Sequence, residues 1–252
     1  MMGRLTDNHF HLDFVEDPAR FSAAADAAGI SMLAVSCTPS GYRLVRDATG
    51  AAPNVRAAVG AHPWWVADGR LGSADIDEVV ALVGETDYVG EIGLDFSPKH
   101  VPQGSEELQI AAFERICMAA AREDGKVLSI HSVRAAGTVL DVLERTGALD
   151  GCRCVFHWFS GSSDEIWRAI RGGCRFSVNE MMLSTGRGRE YAKLIPRDHL
   201  LLETDQPAGQ RVPWDVERVT GSLVETLMRL ERVLGRNVAD EVQANAETLL
   251  ER

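Results

Sequence analysis

Residues 5–13 read LTDNHFHLD, and the fold follows from how this stretch is taken. Side chains at alternate positions of an extended strand share one face, so Asp7, His9, His11 and Asp13 point the same way. Leu5, Asn8, Phe10 and Leu12 lie between or behind them. The inner face of a buried strand is normally the place of Val or Ile. Two imidazoles and two carboxylates there predict a strand that carries polar chemistry into the interior of a sheet or barrel.

Seven further short runs of strand character follow at residues 30–37, 55–62, 88–94, 126–132, 152–159, 174–179 and 199–205. Helical stretches lie between them, among them 19–29, 74–84, 106–125, 135–147 and 163–173, and several end on glycine as helix C-termini do. A regular alternation of β and α implies parallel strands joined by crossover helices. Eight such units in 252 residues predict an α/β fold, a (β/α)8 TIM barrel in a single domain spanning 1–252. The long segment from about Pro213 is then expected to supply the closing helices. An open doubly wound sheet is the alternative. It usually has fewer strands and a glycine-rich first turn, whereas the first turn here reads FVEDPARF.

Hydrophobic residues make up 45% of the chain and charged residues 25%, the balance of an ordinary globular protein. No apolar run approaches membrane-spanning length, and residues 1–15 carry polar groups where a signal peptide would be apolar. A cytoplasmic protein without membrane association is therefore expected. Five cysteines at scattered spacings are expected to be reduced and mostly buried. Cys152 and Cys154 have no second pair nearby to complete a zinc knuckle. A net charge of −11 argues against a protein that coats nucleic acid through counterion release. It leaves room for an enzyme that grips a few phosphates in a cleft where bound metal supplies positive charge.

The seven histidines are not scattered. His9, His11, His62, His131 and His157 fall at the C-terminal ends of predicted strands, and only His100 and His199 fall elsewhere. Glu91 ends the fourth strand and Asp205 the eighth. In a barrel these ends meet in one ring, the usual place of an active site. Converging imidazoles and carboxylates without cysteine suit a divalent metal with open coordination positions. Six candidate ligands, His9, His11, Glu91, His131, His157 and Asp205, are too many for one catalytic ion. They suit two ions about 3.5–4 Å apart, bridged by a carboxylate and a hydroxide. Glu91 is the natural bridge, because no lysine ends a strand to serve as a carbamylated one.

Each of these residues has an ordinary alternative role. A single buried histidine bonded to backbone is common, and the strand-end placement of the whole group is what favours ligation. His62 is expected either to anchor the loop beside Pro63 and Trp64 or to contact a substrate phosphate. Asp7 and Glu203 are expected to orient ligands. Asp95 is expected to cap a helix or anchor a loop. Trp64, Trp65 and Trp158 could stack bases at the rim, although packing under loops is the commoner fate of such aromatics.

In this order the segments DNHFHLD, VGAHPW, GEIGLDF, SIHS, FHWFSG, LLETDQP and ANAETLL resemble the TatD family of metal-dependent hydrolases. The resemblance spans nearly the whole chain. It implies a barrel, a two-metal centre and hydrolysis of phosphodiesters, often by 3′-to-5′ exonuclease action on single-stranded DNA ends. Carried over by position, His9, His11, Glu91 and Asp205 would hold one ion, with Glu91, His131 and His157 holding the other. Arg134, in IHSVRAAG, stands one position later than the family's usual arginine and would hold a phosphate in a shifted way. The phrasing FHWFSGS…CRFSVN is most similar to the TatD-like nucleases of Qat anti-phage defence operons, which implies partner proteins of a defence complex.

The expected chemistry is in-line attack of a two-metal-bound hydroxide on phosphorus, with Asp205, Glu91 and His62 catalytic and His62, Arg134 and Trp64 contacting substrate. Imidazole-rich ligation favours zinc or manganese over magnesium on chemical grounds, although family members are often assayed with magnesium. Two alternatives use the same residues differently. An amidohydrolase would direct the hydroxide at a small amide or ester, and a non-catalytic subunit of a defence complex would bind metal weakly.

Overall fold

The computed structural model describes residues 4–50, 52–209 and 211–251. Eight strands alternate with helices: β1 Leu5–Phe10, β2 Ile30–Ala34, β3 Val55–Ala57, β4 Tyr88–Asp95, β5 Val127–Val133, β6 Arg153–His157, β7 Arg175–Val178 and β8 Leu200–Leu202. The first four helices are α1 Pro18–Ala27, α2 Pro39–Thr49, α3 Pro63–Ala67 and α4 Ser73–Val83. Then come α5 Glu106–Ala120, α6 Ala136–Thr146, α7 Ala148–Gly151 and α8 Ser163–Arg171. The last four are α9 Glu180–Ser184, α10 Gly186–Leu194, α11 Val216–Leu234 and α12 Ala239–Leu250. The helix starts follow local chemistry. Asp17, Thr38 and His62 each accept a backbone N–H of the next turn, and each precedes a proline preset for the first helical position.

All strand pairings are parallel, in the order β1-β2-β3 and β4-β5-β6-β7-β8. Short bridges close both seams, Val59 with Val89 and Phe10 with Gln206, giving the predicted TIM barrel. At the first seam Glu91 N donates to Ser36 O and Ala61 N donates to Glu91 O. This approach depends on Gly60, where a Cβ would stand 2.1 Å from Ser36 O and 2.4 Å from Glu91 N. The register shifts between Asp7 and Phe10 in β1 and between Val89 and Ile92 in β4. His9 and Glu91 therefore sit in irregularities, which re-aim side chains at barrel rims.

Several strands are shorter than their apolar runs. β3 ends at Ala57 rather than at residue 62, because the chain turns aside to meet β4 through Gly60 and Ala61. β1 ends at Phe10. His11 turns away at φ −86°, ψ 72°, its N–H donates to Gln206 O at 2.7 Å, and a 3-10 turn over Leu12–Phe14 follows. The strict alternation expected through Asp13 is thus broken after the strand. β6 stops at His157, where Trp158 takes φ +38°.

The barrel interior is polar at the mouth and apolar at the opposite end. There Leu33, Val35, Ala58, Tyr88, Val127, Val155 and Leu201 pack against Ala246, Leu249 and Leu250 of α12. Tyr88 Oη donates to Leu250 O at 2.6 Å and Arg153 Nη1 to Leu249 O at 2.6 Å, which ties the end of α12 to the strand starts. The five cysteines carry free thiols, four buried and Cys152 half-buried. Among the described residues no helix is long and apolar enough to cross a membrane.

Leu249 is fully buried in the sealed end. Leu249→Ala should lower stability by about 2–5 kcal/mol in urea unfolding. The folded variant should keep its cation affinity, since the substitution lies at the end of the barrel away from the mouth.

Candidate metal centre

Glu91 reaches the centre of the mouth from the β4 irregularity and divides its two oxygens between two groups. Oε2 faces His9 Nε2 at 3.5 Å and His11 Nε2 at 3.4 Å. These imidazoles lie 3.7 and 3.5 Å from Asp205 Oδ1, which follows β8. Oε1 faces His131 Nδ1 at 2.7 Å, His157 Nε2 at 2.9 Å and His62 Nε2 at 3.3 Å. The structure thus brings all six predicted ligands together, and His62 with them. The His9 and His157 rings stack with centroids 3.9 Å apart.

The first group fits a cation by its unsatisfied atoms. Among the described residues, buried Glu91 Oε2 and His9 Nε2 have no hydrogen-bond partner, a state that normally carries a free-energy penalty. Ligands about 2.1 Å from one ion lie about 3.4 Å apart in a tetrahedral arrangement, close to the separations seen here. Among the described residues three sets have donor atoms close enough to share an ion: His9, His157 and Asp205; His9, His11 and Glu91; and His62, Glu91 and His131.

The far nitrogens of His9, His11 and His131 each have a hydrogen-bond partner, which sets where the proton sits, whereas His157 Nδ1 is buried and only faces Glu203. His9 Nδ1 lies 2.8 Å from Ser129 Oγ, and His131 Nε2 lies 3.2 Å from Asp95 Oδ2. His11 Nδ1 lies 3.8 Å from Asp13 Oδ1 and 3.7 Å from Cys37 Sγ, and His157 Nδ1 lies 3.9 Å from Glu203 Oε1. A cation at the centre would replace the protons on the inward nitrogens, which then act as ligands. His62 is the opposite case. The backbone N–H of Trp64 donates to its Nδ1 at 3.2 Å, so the neutral ring carries its proton on Nε2 and presents a donor to the mouth.

Asp95 does more than the expected loop anchoring. It accepts Ser97 N–H at 2.7 Å, but its Oδ2 also meets Trp64 Nε1 at 2.6 Å and His100 Nδ1 at 3.0 Å besides His131. Its position four residues after Glu91 on one strand puts both carboxylates on one face, a signal present in the sequence. Ser129 stands likewise two residues before His131. Asp7 holds backbone rather than imidazole: it accepts the N–H of His9 at 3.2 Å, the N–H of Thr204 at 3.0 Å and the Thr204 hydroxyl at 2.6 Å. Glu203 accepts from Ser177 Oγ, from Asn179 Nδ2 at 2.8 Å and from Trp158 N at 3.1 Å.

Charge follows from this packing. Burial alone would raise Glu91, yet His62, His157 and His9 hold it well below the usual carboxylate range. Burial likewise opposes ionisation of Asp205, but the hydrogen-bonding His11 ring, with His157 and His9, brings it down to about 2. Burial disfavours charge on His11, and Asp205, Glu91 and Asp13 outweigh it, lifting the ring to about 9. His131 and His157 are raised against the same burial, His131 by Asp95 and Glu91 and His157 by Glu91 and Glu203. For His9 and His62 burial wins and the pKa falls. Burial raises Asp7 to about 7.

A cavity of about 730 Å³ opens over these groups. Trp64, Trp65 and Trp158 all line it, and so do Arg70 and His100, neither of which sequence pattern assigns to the site. Arg70 lies over the Trp65 ring at 4.6 Å. Arg134 does not reach this cavity; it borders a neighbouring groove.

A sequence-family model described as TatD related DNase matches residues 6–251. An Escherichia coli K12 protein described as the uncharacterized metal-dependent hydrolase YcfH is 28% identical over 97% of this chain and 92% of its own length. A Citrobacter rodentium protein described as the 3′-5′ ssDNA/RNA exonuclease TatD is 29% identical over 77% of this chain and 73% of its own. Among solved structures, YjjV, a TatD homologue from Escherichia coli K12, superposes with a TM-score of 0.80 at 22% identity. It covers 99% of this chain and 98% of that one.

Protons and cations compete for the same nitrogens. With the His11 pKa at about 9, cation affinity should rise as pH rises from about 6.5 and level off above about 9. Titration calorimetry in buffers of different ionisation enthalpy should report net proton release at neutral pH. The cation-free protein behaves oppositely. His11 contributes stability in full below its unfolded pKa of about 6.5, and that contribution is lost as pH rises through about 9.

Proposed function

The chain belongs to the TatD-related DNase family of metal-dependent hydrolases acting on ester bonds, and we propose that it is a 3′-to-5′ exonuclease on single-stranded DNA working with two divalent cations. The division of Glu91 between two imidazole groups carries this proposal. His9, His11, Glu91 and Asp205 would hold one ion, and Glu91, His131 and His157 the other. Nitrogen and carboxylate donors favour zinc or manganese, with magnesium as the third candidate. When bound, the ions would supply Lewis acidity that lowers the pKa of water and offsets phosphate charge.

The protein's own groups perform the remaining tasks. Asp205 is ionised at neutral pH and partly open to the cavity, so it can orient the attacking water and accept its proton. His62 donates from Nε2 to a non-bridging phosphoryl oxygen, a role for which its backbone-fixed tautomer suits it. Trp64, Trp65 and Trp158 offer faces on which unpaired bases can stack. The description of the Citrobacter rodentium relative supports the polarity and the single-stranded substrate. The phrasing of residues 156–179 supports a place beside partner proteins in anti-phage defence.

Single-stranded DNA carrying a 5′ label should shorten progressively from its 3′ end, and chelator should stop it. Glu91→Gln and His157→Ala should each reduce turnover by about 10³-fold or more while retaining the barrel's circular dichroism. Double-stranded preference, 5′ polarity or chelator-insensitive cleavage would contradict the proposal.

His62→Ala separates a hydrogen-bond donor from a ligand. It should lower kcat by about 10²–10³-fold and leave bound metal, read by elemental analysis, at the wild-type amount. His9→Ala should lose metal.

A further inference from the structure

Beside the cavity runs a second groove of about 460 Å³, bordered by Arg134, Ser160, Ser162, Ser163, Arg187 and Tyr191. Ser160 lines both the groove and the cavity, so the two are neighbours across one residue. We infer that this groove binds the phosphodiester strand of the substrate beyond the scissile bond, with Arg134 and Arg187 as its cations. This inference rests on the nucleic-acid reading of the cavity.

The two arginines come from different elements, Arg134 from the turn after β5 and Arg187 from the first turn of α10. Both are exposed, and among the described residues neither guanidinium has an ion pair or a hydrogen bond. The groove's acid is already engaged: Glu165 Oε1 accepts Gly137 N–H at 2.7 Å and Oε2 accepts Ser162 N–H at 2.5 Å. Glu165 thereby closes the start of α8 with a reciprocal Ser162–Glu165 cap. The helix N–H groups there are partly spent, and anion recognition falls to the guanidinium groups and serine hydroxyls.

The backbone around Arg134 points the same way. Arg134 holds φ +56°, a left-handed conformation that is unfavourable for a residue with a side chain. Such outliers persist where surrounding structure enforces them, and they cluster at functional sites. The wall between cavity and groove is firm. Tyr191 Oη donates to Gly161 O at 2.5 Å, and a Cβ on Gly161 would stand 2.6 Å from Phe159 Cζ. A strand lying across this wall meets a fixed edge with free positive charge on its far side.

The test reads binding without cleavage, by fluorescence anisotropy of a labelled thymidine octamer and dimer on the full chain in chelator. The octamer should bind at least about tenfold more tightly than the dimer. An octamer with uncharged methylphosphonate links should lose that advantage. In R134A/R187A the octamer's advantage should largely vanish. The slope of log affinity against log salt should become shallower by about 1.4, which is about 0.7 for each of two lost phosphate contacts on a single strand. Arg187→Glu should weaken octamer binding further than Arg187→Ala.

Equal affinity for octamer and dimer would overturn the inference on the wild-type protein alone. An unchanged salt slope in R134A/R187A, or full binding of the uncharged octamer, would also overturn it. Cleavage is not read here, so failure of the groove is distinguishable from failure of the exonuclease proposal.

Discussion

A carboxylate buried among five imidazoles has to be compensated, or the barrel around it would not close. Removing an ionised group from water carries an effective penalty of several kcal/mol. Glu91 stays ionised because His9, His11, His62, His131 and His157 all lie within 3.5 Å of its oxygens. Four of these rings are in turn held from behind, His9 by Ser129, His11 by Cys37, His62 by the Trp64 amide and His131 by Asp95. The arrangement reaches outward from one side chain: ring, partner, strand. Even Gly60 belongs to it, since the chain path that delivers Glu91 runs through a place where no side chain fits.

The two ends of the barrel divide the physics between them. The end closed by α12 is apolar and tied by hydrogen bonds from Tyr88 and Arg153 to the last helical carbonyls. The mouth holds buried carboxylates, rings with divided protons and backbone outliers. Arg134, Trp158, Asp205 and Arg211 all take positive φ, and all lie in segments that follow strands at the mouth. Stability is concentrated at one end and functional strain at the other, the separation expected of this architecture.

Much of this was legible in the chain itself. Eight alternating runs were enough for the barrel, and histidines confined to strand ends were enough for the cluster. Strand ends depart from the apolar runs where backbone, not side-chain pattern, decides. β3 is three residues long because Gly60 lets the chain leave the sheet, and no periodicity encodes that. Local spacing around Asp95 suggests only a cap or loop anchor; its long-range partners, Trp64 and His131, come from α3 and β5. Motif position gives Arg134 a shifted phosphate contact, and the structure puts it on the neighbouring groove rather than the central cavity. Arg187 carried no signal at all, since an exposed arginine on a short helix looks the same wherever the helix sits.

The ring of His62 takes its proton address from the peptide group of Trp64, where α3 begins. That address is written in the path of the chain rather than in a neighbouring side chain. Any residue with an amide hydrogen can stand at position 64 and issue the same instruction. The indole answers to a different partner, donating from Nε1 to Asp95 Oδ2 at 2.6 Å, so for the proton address alone only proline is barred. Substrate preference and proton placement share one residue here, yet they can change independently.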